Sequence, residues 1–311
     1  MYGRSWQRGK ARVTSIVTGS AGFIGRVLTE LLIDAGEKVI GIDRRQQPSR
    51  PGLTELTADL LEDDDLVRAA LESADAVFHL AGCPGVRDTA PGIGSRRHRD
   101  NVLAGARVLS LVPERVPLVV ASSSSVYGGA RDGRASRETD QVRPVGGYAE
   151  SKVGLERLCA ARVERRRPTA VVRPFTVAGE GQRPDMALSI WLEAARGGRP
   201  LRVLGSLDRT RDVTDVRQAA QAMMDLAGSC GVVNVGTGRG RTLREMADAV
   251  AEALDTEVVF AVEPATTAEP SDSLADVRRL RSLIGWSPET DLTDVVRRQA
   301  GALQPATAVA P

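Results

Sequence analysis

Val13-Thr14-Ser15-Ile16-Val17-Thr18-Gly19-Ser20-Ala21-Gly22-Phe23-Ile24-Gly25 decides how this chain folds. The run up to Thr18 is apolar and reads as a strand, and an apolar-periodic helix follows from Val27 to Ala35. The glycines between them stand as G-x-x-G-x-x-G. Gly19 allows a sharp strand-to-helix turn, Gly22 lets backbone amides approach a pyrophosphate, and Gly25 lets the helix pack close to the strand. The helix N-terminus then favours an anion. A glycine triplet alone is weak evidence. Its place between a strand and a helix makes it a dinucleotide site in which Phe23 and Ile24 take part.

Outward from this motif, apolar runs alternate with helical patterns at βαβ spacing. Strands are predicted at 14–18, 38–42, 53–57, 76–81, 118–122 and 169–173, with helices at 23–35, 64–72, 97–112 and 148–166 between them. Little polar alternation marks the strands, as expected when a parallel sheet is covered on both faces. Beyond Arg173 the pattern becomes irregular, with a helix at 186–196, a helical stretch at 211–226, a strand at 232–235, a helix at 243–254 and a strand at 257–262. The expected fold is α/β: a Rossmann-type doubly wound parallel sheet with a smaller, interleaved C-terminal substrate domain. Residues 12–175 plus 211–238 form the first, residues 176–210 plus 239–303 the second, and residues 1–11 and 304–311 read as flexible tails.

The chain has 311 residues and a formal net charge of +2, a balance that does not point to nucleic acid. Cys83, Cys159 and Cys230 form no CxxC pair and no metal spacing, so reduced thiols and a cytoplasmic location are expected, without a metal. No apolar run reaches membrane-spanning length, and the polar N-terminus lacks the apolar core of a signal peptide.

Asp43 ends the second strand, where a carboxylate accepts hydrogen bonds from ribose hydroxyls and repels a 2′-phosphate, which favours NAD. Arg44 and Arg45 follow and could hold a 2′-phosphate instead. Asp59 and Leu60 would flank the adenine, and Leu80-Ala81-Gly82 would line the cofactor after the fourth strand. His79 reads as structural.

Downstream stand Ser122-Ser123-Ser124-Ser125-Val126-Tyr127-Gly128 and Tyr148-Ala149-Glu150-Ser151-Lys152. Tyr148 and Lys152 are four apart and share a helix face. A phenol is a poor base at neutral pH, but an ammonium and a nicotinamide cation would favour the phenolate. It could then take a proton from a substrate hydroxyl as hydride leaves the same carbon. Ser123 would bridge the substrate oxygen and the phenolate, and Lys152 would also bind the nicotinamide ribose.

With these motifs in order, the chain resembles an extended short-chain dehydrogenase/reductase of the NAD-dependent nucleotide-sugar epimerase/dehydratase group, across about residues 13–300. Asn101, Gly181-Gln182-Arg183-Pro184-Asp185-Met186-Ala187, Arg211-Asp212-Val213, Asn234-Val235-Gly236 and Leu283-Ile284-Gly285-Trp286-Ser287-Pro288 are further points of similarity. The resemblance implies cofactor contacts at Asn101 and Ser122, and substrate contacts at Arg87, Arg183 and Arg211. It also implies a UDP-sugar substrate and a homodimer built on the Tyr148 helix, with Val153, Leu155, Leu158 and Cys159 available to that bundle.

Dehydratases of the group carry an Asp-Glu pair at the positions of Ser124 and Ser125, and glucuronate decarboxylases carry a Glu at the second. Two serines there disfavour both reactions. The serine run, Phe175-Thr176-Val177 and Arg183-Pro184-Asp185-Met186-Ala187 are similar to uronate 4-epimerases, in which such hydroxyls hold the sugar carboxylate. Ser124, Ser125 and Thr176 take that role here by resemblance, for a UDP-hexuronate or UDP-hexose. Decarboxylation, dehydration and 4-ketoreduction remain alternatives within the family, and a non-catalytic dinucleotide sensor remains one outside it. Ala178-Gly179-Glu180 replaces the family's Tyr-Gly-Pro and predicts a smaller, more acidic wall of the sugar site. Thr266 replaces a diphosphate-binding arginine, and the polar loop 128–147 lies where a lid could form.

Overall fold

The structure, a computed structural model, describes residues 13–85, 88–131, 133–265 and 272–303. Arg87, Thr266 and both expected tails lie outside the described residues. The first half alternates as expected: β1 (Thr14–Thr18), α1 (Phe23–Asp34), β2 (Lys38–Asp43), β3 (Leu53–Thr57), α2 (Asp65–Ser73), β4 (Ala76–His79), α3 (Ile93–Arg97), α4 (Ala104–Leu111), β5 (Leu118–Ala121), α5 (Gly147–Glu164) and β6 (Thr169–Pro174). A π-helical segment, His98–Leu103, joins α3 to α4, and a 3-10 turn, Ser124–Tyr127, follows β5. The second half runs β7 (Thr176–Ala178), α6 (Ala187–Arg196), β8 (Leu201–Leu204), β9 (Thr210–Asp215), α7 (Val216–Asp225), β10 (Gly231–Val235), β11 (Gly240–Thr242), α8 (Leu243–Leu254), β12 (Phe260–Glu263), β13 (Asp272–Ser273), α9 (Arg278–Ile284) and α10 (Leu292–Ala302).

Seven parallel strands form the main sheet in the order β10-β6-β5-β4-β1-β2-β3. Strand order reverses between β1 and β4, so the carboxyl ends of these two strands open a crevice. The α/β Rossmann-type expectation is borne out. Ile16, Val17, Val77, Phe78, Val119, Val120, Val171 and Val172 are buried on both sides of the sheet, which explains the missing alternation. One core packs α1, α7 and α9 on one face; the other packs α2, α4 and α5 on the opposite face.

A smaller lobe is built round β9, which pairs with β7, β11 and β13, while β8 pairs with β12. Its own core joins α6, α8 and α10. The helical expectation for 211–226 is corrected here: residues 210–215 are the strand β9, and only Val216–Asp225 is helix. Two features end the helix at its start. Asp212, fully buried, accepts hydrogen bonds from the Thr237, Gly238 and Ala275 amides and so locks its own residue into the sheet. Asp215 caps α7 by accepting from the Arg217 amide. Among the described residues no helix is long and apolar enough to cross a membrane.

Candidate active site

The glycine turn is sterically determined. Gly19 sits at φ +74°, and a Cβ there would lie 2.6 Å from the Ala81 nitrogen. A Cβ on Gly25 would drive into the Gly19 carbonyl, 2.9 Å from its carbon. Gly22 caps α1 with no side-chain hydrogen bond and no acid stands in the first turn, so the leading amides of α1 remain available to an anion. Asp43, at the end of β2, accepts hydrogen bonds from the Ala21 amide (3.1 Å) and the Arg45 amide (2.9 Å), which tie it to the glycine loop.

One cavity of about 1490 Å³ runs from this turn between the two lobes. It is lined by Gly19, Gly22, Phe23, Ile24, Gly25, Asp43, Arg44, Asp59, Leu60, Leu80, Ala81 and Gly82 at one end. Ser122, Ser123, Ser124, Ser125, Tyr148, Lys152, Thr176, Arg183 and Arg211 line the same cavity. Residues far apart in sequence are therefore brought to one cleft. Asn101 does not line it. Fully buried in the π-helical segment, its amide is spent on the Cys83 backbone (2.8 and 3.1 Å) and on Ser151 Oγ (2.8 Å), which fixes the loop after β4 to α5. Arg87 lies outside the described residues.

Ser123 and Tyr148 stand close enough for the serine hydroxyl to stabilise a phenolate. Burial nevertheless pushes the Tyr148 phenol above its ordinary value, against the pull of Ser123, Arg183 and Arg97. The Lys152 ammonium lies 6.0 Å from the ring centroid and donates to the Ala121 carbonyl at 2.9 Å. Burial draws Lys152 itself down to about 8, opposed by the Glu156 carboxylate one helical turn on.

Glu156 escaped the sequence reading, although its i+4 spacing from Lys152 was a signal. It accepts from Ser122 Oγ (2.5 Å) and from Arg173 Nε (2.8 Å) and Nη2 (2.6 Å). Arg173 also donates to the Tyr127 hydroxyl (2.8 Å), which donates to Asn234 (2.7 Å). The Ser122 side chain is thus engaged in this buried chain, and its amide donates to the Val172 carbonyl at 2.7 Å. His79 bonds Thr18 Oγ1 at 2.7 Å, and burial with the nearby Lys152 charge pulls it to about 3, so it stays neutral.

At the far end Ser125 Oγ is buried with no hydrogen-bond partner, and Ser273 Oγ is in the same condition. Both residues line the cavity, so an entering ligand could satisfy them. Arg183 holds Asp185 through two bonds of 2.8 and 2.9 Å. The expected acidic sugar wall is corrected: Ala178 is buried in the small-lobe core, and the Glu180 carboxylate is paired with Arg217 and Arg298 outside the cavity lining. The 128–147 loop is held down by bonds from Ala130 N to Asp272 O (2.8 Å) and from Ser136 N to Leu274 O (2.8 Å). Of the residues expected at a dimer bundle, Val153, Leu155 and Cys159 are core, and Leu158 is exposed.

The profile of the NAD dependent epimerase/dehydratase family matches residues 15–236. An uncharacterized UDP-glucose epimerase, YtcB, of Bacillus subtilis (strain 168) is 30% identical over 304 residues, spanning 90% of this chain and 94% of its own length. The structure of MoeE5 in complex with UDP-glucuronic acid and NAD superposes with a TM-score of 0.83 at 34% identity, covering 93% of this chain and 98% of the other. The UDP-glucuronic acid 4-epimerase from Bacillus cereus, in complex with UDP-glucuronic acid and NAD, gives a TM-score of 0.83 at 25% identity, with the same coverage of both chains.

Proposed function

The chain belongs to the NAD-dependent epimerase/dehydratase family, and from that premise we propose that it inverts C4 of a UDP-linked hexuronate or hexose through a transient 4-ketose. It is an enzyme of nucleotide-sugar chemistry, and its cofactor is NAD. The residues present fit that group: the glycine turn admits no Cβ, the α1 amides are uncapped, and Asp43 closes β2 beside them. In this reading Gly19, Gly22, Phe23, Ile24 and Gly25 hold the pyrophosphate, Asp43 the adenosine ribose, and Asp59 and Leu60 the adenine. Leu80, Ala81, Gly82 and the Ser122 backbone line the dinucleotide, and Asn101 positions them from behind.

Bound NAD supplies a reversible hydride acceptor at C4. Tyr148 takes the 4-hydroxyl proton and later returns it. Ser123 bonds both the sugar oxygen and the phenol. Lys152 places a positive charge behind the phenolate, and Arg183 and Arg97 add theirs. Arg183 and Arg211 face the diphosphate, for which a guanidinium is well shaped. Ser124, Ser125 and Thr176 hold the C6 carboxylate. A 4-keto uronate is a β-keto acid, and it keeps its carboxylate only while the C–carboxylate bond is turned out of alignment with the carbonyl π-system.

The observation that carries this reading is the sugar end itself. Next to Ser123, positions 124 and 125 offer hydroxyls, one of them buried and unpartnered, where elimination would need carboxyl groups. The alternative of a non-catalytic sensor gives no reason for Ser123, Tyr148 and Lys152 to share the cleft. We also propose the division into 12–175 plus 211–238 and 176–210 plus 239–303, with β9 and α9 as the elements that cross between lobes. A homodimer would bring α5 of two copies together over the exposed Leu158.

An NMR time course of the purified protein with UDP-glucuronate, UDP-glucose and UDP-N-acetylglucosamine, without added reductant, tests the proposal. The 4-epimer of one of them is expected. A UDP-pentose, or a 4-keto-6-deoxy sugar, overturns it.

A further inference from the structure

Arg44, directly after the carboxylate assigned to the adenosine ribose, is where a 2′-phosphate would meet a guanidinium. Its guanidinium is engaged elsewhere. Arg44 Nη2 lies 3.0 Å from Asp100 Oδ2, and Nη1 lies 3.7 Å from Asp59 Oδ2. Asp100 belongs to the π-helical segment, and its side chain is 6% exposed. It gathers Arg99 at 2.7 Å and Arg96 at 3.7 Å as well, while Arg99 reaches Asp59 at 2.7 Å. Arg45, although exposed, lies over the glycine loop, donating to the Ala21 carbonyl at 2.8 Å and standing 3.5 Å from Asp43. Arg44, Asp59, Asp100 and Arg96 all line the cavity at the dinucleotide end.

We propose that Asp100 is a positioning residue that sets cofactor choice: by binding Arg44 it withholds that guanidinium from a 2′-phosphate and leaves Asp43 to meet the ribose hydroxyls. The inference rests on the assignment of Asp43 to the ribose. The physical reason is competition. A phosphate dianion entering here must displace a buried carboxylate from a guanidinium already held by charge-assisted hydrogen bonds, and it also meets the Asp43 charge. Without the Asp100 charge, Arg44 and Arg99 would share one carboxylate, Asp59, Arg96 would lose the carboxylate it faces, and the same corner would become an anion site.

The test is calorimetric titration of the full-length chain, freed of bound nucleotide, with NAD+ and with NADP+. Asp100→Asn should raise NADP+ affinity by about tenfold or more and change NAD+ affinity by less than about threefold. Adding Arg44→Ala to it should abolish the gain. Arg44→Ala alone, at a half-exposed position that the fold tolerates, should leave NADP+ affinity at the parent value. An Asp100→Asn protein that binds NADP+ as weakly as the parent overturns the inference, as does a gain that survives loss of Arg44. Should Asp100→Asn fail to fold by thermal melt, Arg44→Ala alone still decides, because a drop in NADP+ affinity would mean that Arg44 already serves the phosphate. Asp43→Ala separates the two readings: equal weakening toward both nucleotides removes the ribose assignment, whatever Asp100 does.

Discussion

Glu156→Gln should destabilise this protein more than the loss of one hydrogen bond. The Glu156 side chain, 11% exposed, accepts from two nitrogens of Arg173, itself 5% exposed, and from Ser122. A glutamine retains one acceptor and turns an NH2 toward a guanidinium that has no other carboxylate partner among the described residues. Arg173 would keep the Tyr127 hydroxyl and an uncompensated buried charge. Removing one partner of a buried pair typically costs about 3–5 kcal/mol. For a chain of this length that lowers the melting temperature by about 5–8 °C. Calorimetry and urea unfolding on the parent, Glu156→Gln, Arg173→Met and the double variant Glu156→Leu/Arg173→Met measure it. The double variant should recover much of the loss, since no charge is orphaned. A melting point within about 2 °C of the parent for Glu156→Gln would refute the reasoning. A second readout is independent of stability. Glu156 supports the charge on Lys152, so Glu156→Gln should move the loss of the Lys152 ammonium to lower pH, seen as an earlier alkaline fall in turnover.

Tyr148→Phe should keep NAD binding by fluorescence titration and lose turnover by about 10²–10⁴-fold, and near-parent turnover would remove Tyr148 as the base. Gly25→Ala should weaken NAD binding and cost about 1–3 kcal/mol, because the new methyl meets backbone rather than a yielding side chain; unchanged affinity by calorimetry would contradict the steric account. Lys152 is a base whose folded value is drawn from 10.5 down to about 8, chiefly by burial. Its favourable contribution is therefore complete above pH 10.5, is lost as pH falls through the window down to 8, and stays lost below it. Lys152→Met should accordingly gain about 3 kcal/mol over the parent near neutrality, with the gap closing between those limits, and a pH-independent gap would sink the assignment. Glu180→Gln should lower stability by about 2 kcal/mol and leave the sugar KM unchanged, and a shifted KM with unchanged stability would return Glu180 to the sugar wall.

The main sheet was legible because each of its strands is buried on both faces and reads as a short apolar run. The strand β9 was not, because Arg211, Asp212, Thr214 and Asp215 give it the polarity of a helix start. What makes it a strand is remote: Asp212 bonds the backbone at Thr237, Gly238 and Ala275, and β7, β11 and β13 pair along it. Local propensity holds no trace of those partners. At the site, motif spacing found the glycine turn and the Ser123, Tyr148 and Lys152 set. It missed Asp100 and Glu156, whose importance lies in the arginines that the fold brings to them. It also misread Glu180, since a substitution in a motif says that a wall has changed without saying which way the new side chain turns.

That turn of Glu180 bears on how the cleft holds its shape. Arg298, on α10, binds Glu180 at 2.7 Å and Asp215 at 2.6 Å, and Asp215 is the residue at which β9 hands over to α7. Arg26, on α1, donates to the Glu180 carbonyl at 3.4 Å. Helix α7 packs on α1, the helix whose N-terminus faces the pyrophosphate in our reading, and β9 carries Arg211 into the sugar end. One strand and the helix that continues it therefore set the distance between the two ends of the cavity, and the Glu180–Arg298–Asp215 pairs brace that joint against opening. The strap at 128–147 is fastened to the same frame: Ala130 N donates to Asp272 O, Ser136 N to Leu274 O, Asp276 N to Ser136 O and Asn234 Nδ2 to Ser136 O, and Arg137 lies 3.5 Å from Asp276. A braced joint suits the epimerisation proposed above, in which the sugar must turn about its nucleotide anchor while cofactor and phenol stay still.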